Sequence, residues 1–560
     1  MCALSRRDFL KYSGTGLAGM TLAMHFPFLT PRRALASGTA WKFGVMADTQ
    51  WKSSYPNNGE NPMSCAVSII NALNQQFIHH DVKFAIQVGD LVDVEVVGGV
   101  RSLPTRAAAA QALYNAGIGF FPLRGNHEAT KTAAAEIPAL FPQTLGEGSY
   151  LYGARNFESP VLDITSTDTT GERLKGLSYS FDYENVRCVM IDQFTRKDGT
   201  NYNSSSNNNA VDQVPWVGST LAARAADSHA FVFSHKNLIG QNHKDVLFGS
   251  SLTANAAARD TFITSLQNNG VRYCLGGHDH MHHRSIVTTS DKSASVGQII
   301  CSSNSYKFYT PAAGDDGREI PVAQELYSIG YYIVTVDGPR VTIDFYAKSH
   351  GSDYGDIDLL ASPLDMPFYL RESFGYSLNG KQFVVARGNS FTTVQDSFEG
   401  TTAKILSGNN ANSETDYLNR NLSKIVNTGW STPLISESAA SNVLTLWGMS
   451  DNLSMYNASL SGFLPNAAES KESDVYALSL SYDPKKVRPT DLISGKFGLA
   501  TKDANGSWVK AVDANFSGTK TFKYGPWKSS YGLGTYGVDP STKTVWAVVN
   551  HDGDFVAKYL

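Results

Sequence analysis

Between residues 41 and 280, apolar runs of strand length repeatedly stop at a short polar cluster. Trp41 to Ala47 ends at Asp48, and Phe84-Ala85-Ile86-Gln87-Val88 ends at Gly89-Asp90. Ile118-Gly119-Phe120-Phe121 leads to Arg124-Gly125-Asn126-His127-Glu128, and Arg187-Cys188-Val189-Met190-Ile191 ends at Asp192. Phe231-Val232-Phe233 reaches His235, and Val271-Arg272-Tyr273-Cys274-Leu275 reaches Gly276-Gly277-His278-Asp279-His280. Between the runs lie stretches of helical character: 62–79, with Ala66, Ile69, Ile70, Leu73 and Phe77 on one face, then 104–116, 214–226 and 255–268. Strand alternating with helix is the pattern of an α/β sheet. Ligands in such sheets gather beyond the carboxyl ends of the strands, and there each polar cluster falls.

The chain has 560 residues, too many for one compact core. A hairpin pattern, Tyr331 to Val336 and Val341 to Phe345 around Asp337-Gly338, closes the first domain. Residues 129–176 lack a clear period and read as an insertion near the rim, and Asn201 to Asn209 reads as a surface loop. After about 350, short alternating runs such as Val443-Leu444-Thr445-Leu446-Trp447 and Val545-Trp546-Ala547-Val548-Val549 take over. The expected organisation is a leader at 1–36, an α/β domain at 37–350, a linker at 351–374 and a β-rich accessory domain at 375–560.

The leader carries Ser5-Arg6-Arg7-Asp8-Phe9-Leu10-Lys11, a mildly apolar stretch from Gly14 to Leu29 and the small-residue pattern Ala34-Leu35-Ala36. It resembles a twin-arginine export signal, which implies a periplasmic or secreted protein. The apolar stretch is broken by His25 and Pro27, too short for the roughly 20 residues of a membrane span, so no transmembrane segment is expected after signal removal. Without residues 1–36 the chain holds 42 Lys+Arg against 50 Asp+Glu, a net charge near −8, which argues against general nucleic-acid binding. Cys65, Cys188, Cys274 and Cys301 sit in apolar surroundings and read as core packing, not a disulfide framework.

In chain order the polar clusters are Asp48-x-Gln50, Gly89-Asp90-x-x-Asp93, Gly125-Asn126-His127-Glu128, His235 and Gly277-His278-x-His280. Together, over about 41–350, they resemble the calcineurin-like metallophosphoesterase family. The resemblance implies an αββα sandwich with a two-metal site at the sheet rim. By it, Asp48, Gln50, Asp90 and His280 would hold one divalent cation, and Asp90, Asn126, His235 and His278 the other, with Asp90 shared. His127 would stabilise the transferring phosphoryl group and protonate the leaving oxygen, and a hydroxide bridging the metals would be the nucleophile. Chemistry supports these residue types, since two cations about 3.5–4 Å apart can clamp both oxygens of a phosphoryl displacement. Gln50 departs from the commoner histidine, as in the branch resembling manganese-dependent pyrophosphatases. Amide oxygens at Gln50 and Asn126 suit manganese or iron, and the imidazoles also admit zinc.

Asp93 and Glu128 are expected to orient neighbours, while Arg124, His282, His283 and Arg284 are candidates either for phosphate contact or for ordinary surface solvation. His79, His80, His229, His243, His350 and His551 have no motif context. The expected activity is hydrolysis of a small phosphomonoester, phosphodiester or pyrophosphate. The alternative is a non-catalytic envelope protein that binds through its β-rich domain. Contact with envelope glycans through Trp430, Trp447, Trp508, Trp527 and Trp546 is a further expectation, set against their burial as core.

Overall fold

The computed structural model describes residues 40–560 apart from 53, 55–58, 161–173, 196–207, 313–316, 350–367, 386–391, 397, 408–414, 435–437, 450–455, 458–461, 464–471 and 504. The leader and most of the Asn201–Asn209 tract therefore lie outside the described residues, as does His350. Two sheets face each other in the first domain. The first runs in spatial order Tyr369–Ser377, Arg340–Ser349, Ser328–Asp337, Trp41–Met46, Phe84–Val88, Gly119–Leu123. The last three strands are mutually parallel, whereas Ser328–Asp337 joins Trp41–Met46 antiparallel. The second sheet runs Glu319–Glu325, His282–Thr288, Ser295–Ile300, Tyr273–Gly276, His229–Ser234, Val186–Ile191, Tyr179–Tyr183, Arg155–Glu158.

The aromatic and branched residues on the inner faces explain why the sheets stack. Phe43, Val45, Phe84, Ile86 and Phe121 of one meet Phe181, Cys188, Phe231, Phe233 and Leu275 of the other in one dry core. Outside the first sheet pack the helices Val67–His79, Leu103–Ala109, Gln111–Asn115 and Lys131–Leu140. Val214–Ala222 and Ala256–Asn268 cover the second. This is the αββα sandwich that the motif resemblance implies. The expected single helix at 104–116 is broken at Ala110 into two. Residues 129–160 are not a featureless insertion: Ala133, Ile137 and Phe141 seat the helix Lys131–Leu140 in the core. All four described cysteines are free and buried, as core packing requires.

The expected linker needs correction. Residues 369–374 open the strand Tyr369–Ser377, which pairs antiparallel with Arg340–Ser349 and buries Phe374 and Tyr376 in the first domain's core. Beyond it, two six-stranded sheets enclose a third core around Val426, Trp430, Leu446, Tyr476 and Phe555. Trp430 is part of that core, and Trp447 and Trp546 are buried outside it, which removes all three as glycan contacts. Among the described residues, no helix is long and apolar enough to cross a membrane.

Candidate metal centre

The parallel strands of both sheets deliver their carboxyl ends to one rim. Asp48 follows Trp41–Met46, Asp90 follows Phe84–Val88, His235 follows His229–Ser234, and His278 and His280 follow Tyr273–Gly276. Four of these residues hold positive φ: Asp48 at 49°, Asp90 at 47°, His278 at 71° and His280 at 54°. Non-glycine residues visit that region at a cost, and such strain concentrates where a site over-determines the backbone. Two glycines clear the space. A Cβ at Gly89, whose φ is 90°, would collide with the His235 ring, and one at Gly125 would strike Asp90 Oδ1.

Two clusters of potential ligand atoms result, each within 4.8 Å: Asp90, His235 and His278, and Asp48, Asp90 and His280. Asp90 belongs to both. His235 Nδ1–H donates to the Val88 carbonyl (3.0 Å), which turns the Nε2 lone pair toward Asn126 Oδ1 (2.9 Å) and Asp90 Oδ1 (3.3 Å). His280 repeats the device, with Nδ1–H on the Lys307 carbonyl (2.9 Å) and Nε2 at 3.4 Å from Asp48 Oδ1. A carbonyl behind the ring and acceptors before it is how ligating histidines are oriented. Acceptors facing acceptors want a cation between them. Asp48 Oδ2, Gln50 Oε1 and His278 Nε2 are buried without a hydrogen-bond partner, a deficit that bound metal would relieve. The donor set fits divalent cations. Gln50 donates its amide nitrogen to Asp90 Oδ2 (2.7 Å), leaving the oxygen for a ligand.

Burial alone would raise the Asp90 carboxyl, but the imidazoles of His235, His127, His278 and His280 outweigh it and hold it well below the ordinary range. Burial and the flanking imidazoles bring His278 down to about 4, so it is a neutral donor at physiological pH. His127, half-buried, donates Nδ1–H to the Asp93 carbonyl and keeps Nε2 for the open side. Glu128 accepts from Val92 N and Gly125 N (both 2.9 Å), tying the Asp90 and Asn126 loops together; burial, then Asp90, pushes its carboxyl well above the ordinary value.

Other expectations fall differently. Arg124 is buried against Asp192 and Thr195, not on the surface and not turned to a phosphate. His282 and Arg284 share Glu372 of the first sheet's edge strand, and His283 binds Glu319 (3.0 Å) within the second sheet. Strand alternation carries their side chains away from the rim. His229 and His551 are held by backbone carbonyls away from the site, and His80 meets Tyr331.

The sequence reading passed over several site neighbours. His243 stacks on His278 at 4.0 Å between ring centroids and bonds Asp279 (2.9 Å), while Asp245 Oδ2 lies 3.7 Å from His278 Nε2. Lys236 Nζ reaches Asp245 at 2.6 Å. Tyr306, Lys307 and Tyr309 follow the strand Ser295–Ile300, whose apolar run also ends at the rim. The strand's end places the segment at the rim, but the contact that takes Lys307 into the centre is made 180 positions away, with His127.

Residues 42–282 match the calcineurin-like phosphoesterase family. That segment is a calcineurin-like phosphoesterase domain. No curated protein sequence matches the chain significantly. Among solved structures, it is similar to a purple acid phosphatase from yellow lupin (Lupinus luteus) seeds, at 13% identity, TM-score 0.38, covering 60% of this chain and 54% of that one. It is similar also to a dimetal phosphatase from Danio rerio, at 14% identity, TM-score 0.32, covering 54% and 95%. A third is GAP50, the anchor in the inner membrane complex of Plasmodium, at 12% identity, TM-score 0.33, covering 59% and 95%. The chain thus spans about half the length of the lupin phosphatase.

Proposed function

We propose that this protein hydrolyses a small phosphomonoester, phosphodiester or pyrophosphate with two divalent cations. Asp48, Gln50, Asp90 and His280 would hold one, and Asp90, Asn126, His235 and His278 the other. The convergence of two ligand clusters on Asp90 carries the reading. Bound there, the cations would activate water and neutralise phosphoryl oxygens. The amide oxygens of Gln50 and Asn126 favour manganese or iron over zinc.

The chain's own residues supply the rest. His127, with Nδ1–H engaged by Asp93, would take a proton from solvent at Nε2 and pass it to the leaving oxygen. Its Nε2 stands 3.9 Å from Asp90 Oδ2, close enough to act on a group bound at the clusters. Glu128 and Asp93 fix the loops from behind.

The test is hydrolysis of p-nitrophenyl phosphate, bis(p-nitrophenyl) phosphate and ADP-ribose with manganese, zinc or chelator, beside Asp90→Asn. Turnover should require metal and fall at least about 100-fold in the variant, the loss that changes merely behind a ligand can cause. Activity that survives exhaustive chelation overturns the reading. We also propose export by the twin-arginine route, supported by Arg6-Arg7, the following Phe9-Leu10-Lys11 and Ala34-Leu35-Ala36. Replacing both arginines by lysine should leave the protein in the cytoplasm; unimpaired export would refute that route.

A further inference from the structure

The segment 301–312 belongs to none of the five motifs, yet Asn304 and Tyr306 tie it to the first of them. Asn304 N donates to the Asp48 carbonyl (3.0 Å), Asn304 Nδ2 to the Ala47 carbonyl (2.9 Å) and Tyr306 N to the Gln50 carbonyl (3.4 Å). Lys307 comes next. Its carbonyl accepts from His280 Nδ1 (2.9 Å) and its N–H donates to Ser305 Oγ (2.9 Å). Its side chain then crosses to the opposite wall, where Nζ lies 3.3 Å from His127 Nε2 and 3.1 Å from Asp93 Oδ1.

One residue therefore touches both halves of the centre, by its backbone on the Asp48–His280 side and by its ammonium on the His127 side. His127 Nδ1 is already engaged, so Nε2 is the atom that must face a reacting group, and the ammonium now stands against it. Its carboxylate partner is shared, because Asp93 Oδ1 also accepts from Tyr306 OH (2.7 Å). With a side chain 20% exposed on a flexible stem, Lys307 can exchange Asp93 for another anion without moving its backbone.

We propose that Lys307 binds the phosphoryl group: its Nζ leaves His127 Nε2 and donates to a non-bridging phosphoryl oxygen, which frees Nε2 to take up a proton from solvent and deliver it to the leaving oxygen. A further cation at that position favours a terminal phosphoryl dianion, as in a monoester or a terminal pyrophosphate, over a diester monoanion. The inference rests on the two-metal reading above and names the substrate class for that site.

The test compares Lys307→Met and Lys307→Arg in the full chain. Inorganic phosphate is titrated calorimetrically into metal-loaded protein, metal content is measured in parallel, and kcat/KM is taken on a monoester and a diester. Both variants keep the backbone carbonyl that holds His280, so two metals per chain should remain. Lys307→Met should weaken phosphate binding at least about 10-fold, the loss expected for a charge-assisted hydrogen bond. It should lower monoester turnover more than diester turnover, and Lys307→Arg should restore most of both. Unchanged phosphate affinity with both metals in place overturns the role of Lys307 alone. A folded wild-type protein that takes up no metal overturns the two-metal reading instead. Should Lys307→Met lose its metals, Lys307→Arg decides: wild-type phosphate affinity there supports the proposal, and loss with metals retained refutes it.

Discussion

At the scale of single residues, the acid role of His127 makes a prediction that a general loss of structure would not. A proton donor matters in proportion to how poorly the leaving group departs unaided. His127→Ala should therefore lower kcat about 100- to 10,000-fold on an alkyl phosphate and far less on p-nitrophenyl phosphate, whose phenolate leaves without help. Steady-state kinetics on both esters checks it, and an equal loss on both would remove His127 from the proton-transfer step. Most of this residue set was legible beforehand because each member ends an apolar run, so that local sequence alone places it on the rim. Lys307 and His243 were not, because what brings them to the centre is non-local. Lys307 arrives through a side chain reaching 180 positions back to His127, and His243 through a stack on His278. Arg284 shows the same cause with the opposite result: its partner Glu372 is 88 positions away, so nothing nearby announced that the charge would be buried.

At the scale of elements, the connection between the β-rich domain and the site runs through one loop. Arg420 donates to Glu319 Oε2 (2.5 Å), Gln241 Oε1 (2.8 Å) and Asp416 Oδ2 (2.6 Å). Gln241 N in turn donates to Asp279 Oδ2 (2.9 Å), between the two histidines of the last motif. Tyr417 packs beside Met281, Ile300 and Tyr309. Burial alone would raise the Glu319 carboxyl, but His283 and then Arg420 outweigh it and bring it from 4.5 down to about 2. A folded-state value below the unfolded one stabilises the protein fully above pH about 4.5, and that stabilisation is lost as pH falls toward about 2. Arg420→Met removes one of the cations responsible. Its acid-unfolding midpoint, followed by circular dichroism, should rise, and its stability at neutral pH should fall by about 3 kcal/mol, as when one partner of a largely buried pair is removed. An unchanged midpoint would mean that His283 alone governs Glu319.

At the scale of the whole molecule, the question is where the first folding unit ends, and the strand Tyr369–Ser377 decides it. The expected linker at 351–374 rests on the change of character after about 350, where Gly, Ser and Asn become frequent and helical periods fade; Arg371 and Glu372 look like solvent residues until Glu372 meets His282 and Arg284. The strand completes the first sheet and lends Phe374 and Tyr376 to the core between the sheets. A chain spanning 40–368 would open the edge of Arg340–Ser349 and leave Arg284 buried without its carboxylate. Losing a buried aromatic alone costs about 3–5 kcal/mol, so this fragment should be insoluble or unfolded. A chain spanning 40–381 keeps the strand, both aromatics and Glu372, and gives up the Arg420 and Tyr417 contacts, the bonds of Arg340 to Thr445 and Asp554, and the apolar patch of Ile286 and Val322 against Ile425. It should fold, bind metal and melt below the full-length protein. Expression of the two fragments, with thermal melts and metal analysis, separates the cases. If 40–368 folds as well as 40–381, the strand is an ornament on the first sheet. If neither folds while the full chain melts in a single transition, the two regions form one cooperative unit, with the metal centre depending on both.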